Sequence, residues 1–195
     1  INTPMSSEII VTARNPNDKN NQALPCCHYG FQIVMRPLSD LERVLMIDPN
    51  YEKKKSTLSF GQARLLFENL KISNVPKYGF ELHWNQRSVD TFLGLPYNIA
   101  SYATLALILE KITGHKALGI QGDLKKVHLY DNSLDAVKEQ LSKDINKYDE
   151  CELEFHPEFE ICVNAFSKKI LTIDEIFSEF RPDMFQLKNY ESYPA

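Results

Sequence analysis

The sequence lacks the cation excess that nucleic acid would ask for: 22 Lys and Arg stand against 26 Asp and Glu, a formal net charge of −4. Phosphate backbones are held by clustered Lys and Arg, so the balance argues against such a partner and does not exclude a small anionic ligand. No apolar run approaches the ~18 residues of a membrane span, and no secretory leader pattern is visible. Metal-site spacing is missing as well. Cys26, Cys27, Cys151 and Cys162 form no C-x-x-C pair and no Cys/His spacing of the zinc type, so no metal is expected. Adjacent cysteines seldom pair with each other, which makes reduced thiols in a cytoplasmic setting the expectation. There is no internal repeat and no low-complexity tract. The chain opens at Ile1 instead of Met, directly ahead of a strand-like run, which fits a sequence short of its natural N-terminus. The 195 residues, 43% apolar and 25% charged, suffice for one well-packed domain.

Hydrophobic patterning gives the elements. Ile9 to Ala13 is a β-branched run that reads as a buried strand, closed by the turn-rich Asn15-Pro16-Asn17-Asp18. Tyr29, Phe31, Ile33 and Met35 alternate with Gly30, Gln32 and Val34, and Phe80, Leu82 and Trp84 with Glu81, His83 and Asn85, giving two further strands. Between them Pro37 to Tyr78 differs in character. Ala63, Leu66, Phe67 and Leu70 fall at helical spacing after Ser56-Thr57, so residues 37–78 read as an inserted segment of one or two amphipathic helices on the sheet. Ile99 to Ile112 is apolar on most sides, with Gly114 as C-cap, and reads as a buried central helix. Asn132 or Ser133 caps another carrying Leu134, Val137, Leu141 and Ile145. Cys151–Phe155 and Ile161–Phe166 read as strands. Thr172 with Glu175 forms a capping box, stapled by Leu171 and Ile176. The sum is α+β, a mixed or antiparallel sheet packed with helices.

Three blocks carry chemistry. Cys27-His28 alone is a weak signal, since a Cys beside a strand is more often a small buried hydrophobe than a nucleophile. Gln86-Arg87-Ser88-Val89-Asp90 adds a guanidinium fork and a hydroxyl suited to phosphate, then a carboxylate. Asp90 and Asn98 are groups of the kind that orient a heterocycle, and Gly94-Leu95-Pro96 reads as the turn into the central helix. His128 and Tyr130 offer two hydrogen-bonding side chains on one side of a strand.

These stretches, LPCCH…FQ, NQRSVDTFLGLPYNIASYATL and VHLY, resemble the active-site blocks of the thymidylate synthases in order and spacing, the inserted segment aside. The resemblance runs from IIVTARNP to NYESYP, and the N-terminal portion of the family has no counterpart. It implies a single thymidylate synthase-like domain over residues 1–195, a homodimer packed across the sheets, and conversion of deoxyuridylate (dUMP) to thymidylate with methylenetetrahydrofolate as co-substrate. It places the nucleophile on Cys27, with Cys26 at a proline's position. Thiolate attack on uracil C6 makes C5 nucleophilic, and Arg87 is the cation implied to favour the thiolate. Substrate contacts fall on Gln86, Arg87, Ser88, Val89, Asp90, Asn98, His128 and Tyr130. Asn98 would read the O4/N3 edge, where an aspartate would favour cytosine; His128 and Tyr130 would hold the 3′-hydroxyl, and Asp90 the folate pterin.

The chain also departs from that pattern. Two arginines that reach across the dimer to the nucleotide phosphate are Ser7 and Glu8 here, and a carboxylate repels a phosphate dianion. Arg14 replaces a tryptophan and Asn85 a tyrosine, and Lys126 stands at an aspartate's position unless Asp123 is that aspartate displaced by an insertion. Two other readings accompany the synthase: a pyrimidine-nucleotide hydroxymethylase, and a homologue without turnover that serves as a binding or structural subunit.

Overall fold

The computed structural model describes residues 5–22, 25–72, 74–144 and 147–192. In chain order its elements are β1 (Ile10–Thr12), β2 (His28–Pro37), α1 (Asp40–Ile47), α2 (Tyr51–Lys54), α3 (Phe60–Ile72), β3 (Tyr78–Gln86), β4 (Val89–Asp90) and α4 (Gly94–Thr113). Beyond these lie β5 (Lys116–Leu124), β6 (Val127–His128), α5 (Leu134–Leu141), β7 (Glu152–Phe155), α6 (Pro157–Ser167), α7 (Ile173–Glu179) and β8 (Phe185–Lys188). The architecture is the expected mixture of sheet and helix. The chain divides into two compact units, Ile1–Gln86 with Thr113–Asp123, and Arg87–Ile112 with Leu124–Ala195.

In the first unit the sheet order is β1-β2-β3-β5. β2 and β3 are antiparallel, with Met35 opposite Phe80, Ile33 opposite Leu82 and Phe31 opposite Trp84. Successive side chains alternate in face, so Ile33, Met35, Phe80, Leu82 and Trp84 are all buried together, whereas Val34 is exposed. β1, in contrast to the buried strand expected, is a three-residue edge with Ile10 and Val11 exposed, because it pairs with β2 on one side only. β1 approaches β2 so closely that a Cβ on Gly30 would lie 2.7 Å from the Val11 carbonyl oxygen.

Among its described residues, segment 37–78 holds three α-helices and a short 3₁₀ turn at Lys55–Thr57. α1 opens on a capping box, the Ser39 hydroxyl accepting from the Glu42 N–H at 3.3 Å while Glu42 accepts from the Ser39 N–H at 2.9 Å. α3 begins at Phe60, later than Ser56-Thr57 suggested. Ser59 and Gln62 form their own reciprocal cap, at 3.3 and 2.9 Å, and that pairing fixes the start. Arg43 on α1 donates to the carbonyls of Leu70 at 3.1 Å and Pro76 at 3.2 Å, over a core of buried Val44 and Leu70.

In the second unit the turn into α4 comes earlier than Gly94-Leu95-Pro96. Asp90 Oδ1 accepts from the Phe92 and Leu93 N–H groups at 3.1 and 3.3 Å, so the chain turns at residues 91–93 and Pro96 already lies in the first helical turn, where no N–H is needed. α4 is buried along one stripe, Tyr102 and Ala106, with Tyr97 and Ile99 exposed; Gly114 ends it at φ 69°. Residues 161–166 are helix, not strand. Pro157 at the first helical position, with the His156 ring nitrogen accepting from the Glu158 N–H, starts α6, and that start signal outweighs the short apolar run. α6 buries Phe159 among Phe155, Phe180 and Phe185. α7 carries the expected Thr172–Glu175 box over buried Ile176. Ser133 precedes α5 without a side-chain cap, at the end of a short 3₁₀ turn, and Ile145 lies outside the described residues.

Candidate functional site

Cys27 and Gln86 belong to the first unit, and the sheet register brings their segments to one end of the β2–β3 ladder. The ladder runs in register from Pro37–Tyr78 to Gly30–Asn85, then shifts, so that His28 and not Tyr29 stands opposite Gln86. This is a β-bulge at Tyr29, a device that bends a strand end and re-aims the residues next to it. Cys27 is the neighbour of His28 on that side and is exposed. Gln86 is buried, and its Oε1 accepts from the Trp84 indole N–H at 3.3 Å, which fixes the orientation of the amide. Trp84 in turn lies against Gly122, where any Cβ would collide with the indole ring.

Ser7 and Glu8 lead into β1, both exposed. The Gln32 amide donates to the Ser7 carbonyl at 3.0 Å, and the Glu8 N–H donates to Ser6 Oγ at 3.1 Å.

Arg87, Ser88, Val89, Asp90, Asn98, His128 and Tyr130 belong to the second unit. Arg87 is exposed and Ser88 half-buried. β4 and β6 are a parallel pair with Val89 opposite Val127 and Asp90 opposite His128. Val89 is fully buried and anchors the pair. Thr91 reinforces it, since its N–H and its hydroxyl both donate to the His128 carbonyl at 3.0 Å. Asn98 is half-buried one turn into α4, its Oδ1 4.0 Å from where Gly94 would carry a Cβ. A Cβ at Gly94 would make only ordinary contacts, at 3.5 Å from Asp90 and 4.0 Å from Asn98.

His128 Nδ1 lies 2.9 Å from the Lys126 carbonyl. A carbonyl only accepts, so Nδ1 carries the proton and Nε2 of the neutral ring is left as an acceptor. The Tyr130 ring meets the His128 ring edge-on, centroids 5.0 Å apart at 90°. The two are neighbours as expected, but not as strand neighbours: β6 ends at His128, and Tyr130 starts the turn before α5.

Two supporting residues escaped the reading of the sequence. Trp84 could have been found, because it sits two residues before Gln86 on the same strand face. Thr91 could not: its partner is 37 residues away, across a pairing of two-residue strands. Among the described residues no group of three or more His, Cys, Asp or Glu could hold a metal ion, and no helix is long and apolar enough to cross a membrane.

The family model described as thymidylate synthase matches residues 1–195. A probable thymidylate synthase of Escherichia phage T5 is 33% identical over 143 residues, covering 73% of this chain and 37% of that protein. The thymidylate synthase of Mycoplasma mobile is 30% identical over 192 residues, 98% of this chain and 47% of its own length. The crystal structure of thymidylate synthase from T4 phage is similar at a TM-score of 0.59 and 28% identity, over 98% of this chain and 51% of that one. The chain therefore spans about half the length of these relatives, or less.

Proposed function

The chain belongs to the thymidylate synthase family, and from this premise we propose that it carries nucleotide-handling residues for the reductive methylation of dUMP to thymidylate. Cys27 is the nucleophile. Its sulfur adds to C6 of the uracil and turns C5 into a carbon nucleophile. Asn98 reads the O4/N3 edge, one amide offering both the donor and the acceptor that uracil needs. His128, with Nε2 as acceptor, and the Tyr130 hydroxyl hold the 3′-hydroxyl. Arg87 and Ser88 take the phosphate, with Gln86 and Val89 supporting that turn. A pterin presents N–H donors, and the Asp90 carboxylate is an acceptor of the matching kind, so Asp90 is assigned to the folate. Methylenetetrahydrofolate, when bound, supplies the one-carbon unit and the hydride.

The observation that supports this reading best is the end of the β2–β3 ladder, where a bulge and a buried, indole-held Gln86 set the position of the segment bearing Cys27. β-Bulges are over-represented next to active sites, where they re-aim a side chain. The test is covalent capture. Incubation with 5-fluorodeoxyuridylate and methylenetetrahydrofolate should give an adduct on Cys27 by mass spectrometry, and its absence at saturating ligand overturns the assignment. Product analysis with dUMP then separates a methyl from a hydroxymethyl product.

Ser7 and Glu8 favour a second reading, a subunit that binds or assembles without turnover. With Glu8 exposed ahead of β1, any phosphate it meets is repelled. Replacing both by arginine adds charge-assisted contacts of about 1.5–3 kcal/mol each, so nucleotide affinity should rise at least about tenfold for the first contact made. Unchanged affinity would show that the phosphate does not come near these positions. A homodimer across the sheets, a cytoplasmic setting and the inserted status of residues 37–78 belong to the same proposal. Exposed Ile10 and Val34, on one face of the sheet, support the dimer, and sedimentation as a monomer would count against it.

A further inference from the structure

The two adjacent thiols stand differently in the fold. Cys27 is exposed, whereas Cys26 is half-buried and borders a cavity of about 90 Å³ lined also by Arg14, Asn15, Pro16, Gln22 and Pro25. That is several times the roughly 30 Å³ that one water occupies in the liquid, so the Cys26 side chain has open space beside it. Both residues lie ahead of His28, the first residue of β2, and belong to no strand or helix. None of the four cysteines is disulfide-bonded.

We propose that Cys26 and Cys27 form a reversible oxidation site for hydroperoxides, in which Cys26 resolves oxidised Cys27 as a vicinal disulfide. The exposed Cys27 sulfur attacks the O–O bond of the peroxide. Sulfur is oxidised by two electrons to the sulfenic acid, and the departing hydroxide or alkoxide takes a proton from solvent. The Cys26 sulfur then attacks the Cys27 sulfur. The S–S bond forms as the S–O bond breaks, and the hydroxyl leaves with the Cys26 proton as water. A dithiol reductant restores both thiols by exchange, becoming a disulfide itself. Consecutive Cα atoms are about 3.8 Å apart across a trans peptide, below the ~4.4–6.8 Å usual for disulfides. Such a bond is strained, and strained disulfides are the readily reduced ones. Its consequence for turnover rests on Cys27 being the nucleophile: the pair would switch catalysis off under peroxide and spare the sulfur from irreversible oxidation.

The chain is exposed to hydrogen peroxide, remaining thiols are blocked with N-ethylmaleimide, and the peptide holding both cysteines is weighed. It should have lost two hydrogen atoms, and dithiothreitol given before the block should recover both thiols. In Cys26→Ala and Cys26→Ser the species lacking two hydrogens should be lost, with sulfinic acid accumulating on Cys27 faster than in the native chain. The proposal falls if native Cys27 reaches sulfinic acid as fast as in the variants, or if it pairs with Cys151 or Cys162. Should the variants not fold, the native mass alone decides, and a peptide that never loses the two hydrogens overturns the site. No nucleotide enters this experiment, so it can succeed where covalent capture fails, and the reverse.

Discussion

Glu42 shows how much one side chain is asked to do. Its carboxylate accepts from the Arg36 guanidinium at 2.6 and 3.2 Å and closes the Ser39 cap. The Arg36 hydrogen bonds first, and those from Ser39 after them, lower its pKa from 4.5 to about 2. A depressed carboxylate stabilises the fold above its ordinary pKa, and that contribution is lost as pH falls through the folded value. Native protein and Glu42→Gln should therefore differ in melting temperature near neutrality and converge between about pH 5 and pH 2. A gap constant with pH would assign the carboxylate's effect to packing. The specificity role proposed for Asn98 is tested at the same scale. Asn98→Asp keeps the shape and exchanges a donor for an acceptor, so a competition assay should move preference from dUMP toward deoxycytidylate by about 10–100-fold; an unmoved ratio would remove Asn98 from base recognition.

At the level of elements, the alternation in β2 and β3 and the Thr172–Glu175 box were legible because period and cap are local properties of the chain. Residues 161–166 were not, since their apolar run is compatible with either element, and the deciding signal, Pro157 behind His156, lies outside the run. Gly122 was silent for another reason: its role is defined by Trp84, 38 positions away in the chain. Gly122→Ala should cost about 1–3 kcal/mol, the usual penalty of overpacking. Urea unfolding followed by the fluorescence of Trp84, the only tryptophan, reads both the lost stability and the displaced indole. Native stability in that variant would mean the ring has room to move. The bulge at Tyr29 was equally invisible, and it matters for position. Sliding β2 into regular register would shift the cysteines by about 3.3 Å along the strand, far beyond the ~1 Å that the role proposed for Cys27 would tolerate at a cost of about a hundredfold in rate.

At the scale of the whole molecule, nothing in the local pattern reveals that the chain divides into two units and passes between them after Gln86, Ile112 and Asp123. Such a partition depends on which distant segments touch. It carries its own prediction: a fragment ending at Gln86 holds β1, β2 and β3 but lacks β5, and with it Gly122 beneath Trp84. Far-UV circular dichroism should show no cooperative thermal transition for that fragment, and a sharp transition would mean β5 is dispensable to the sheet. The same interruption has a consequence for the chain as it is made. The ribosome releases β3 well before β5, and at roughly 5–20 residues per second the roughly thirty residues between them take about 2–6 seconds to synthesise. For that interval the Trp84 edge of the nascent sheet waits open, which makes translation speed through α4 a determinant of yield.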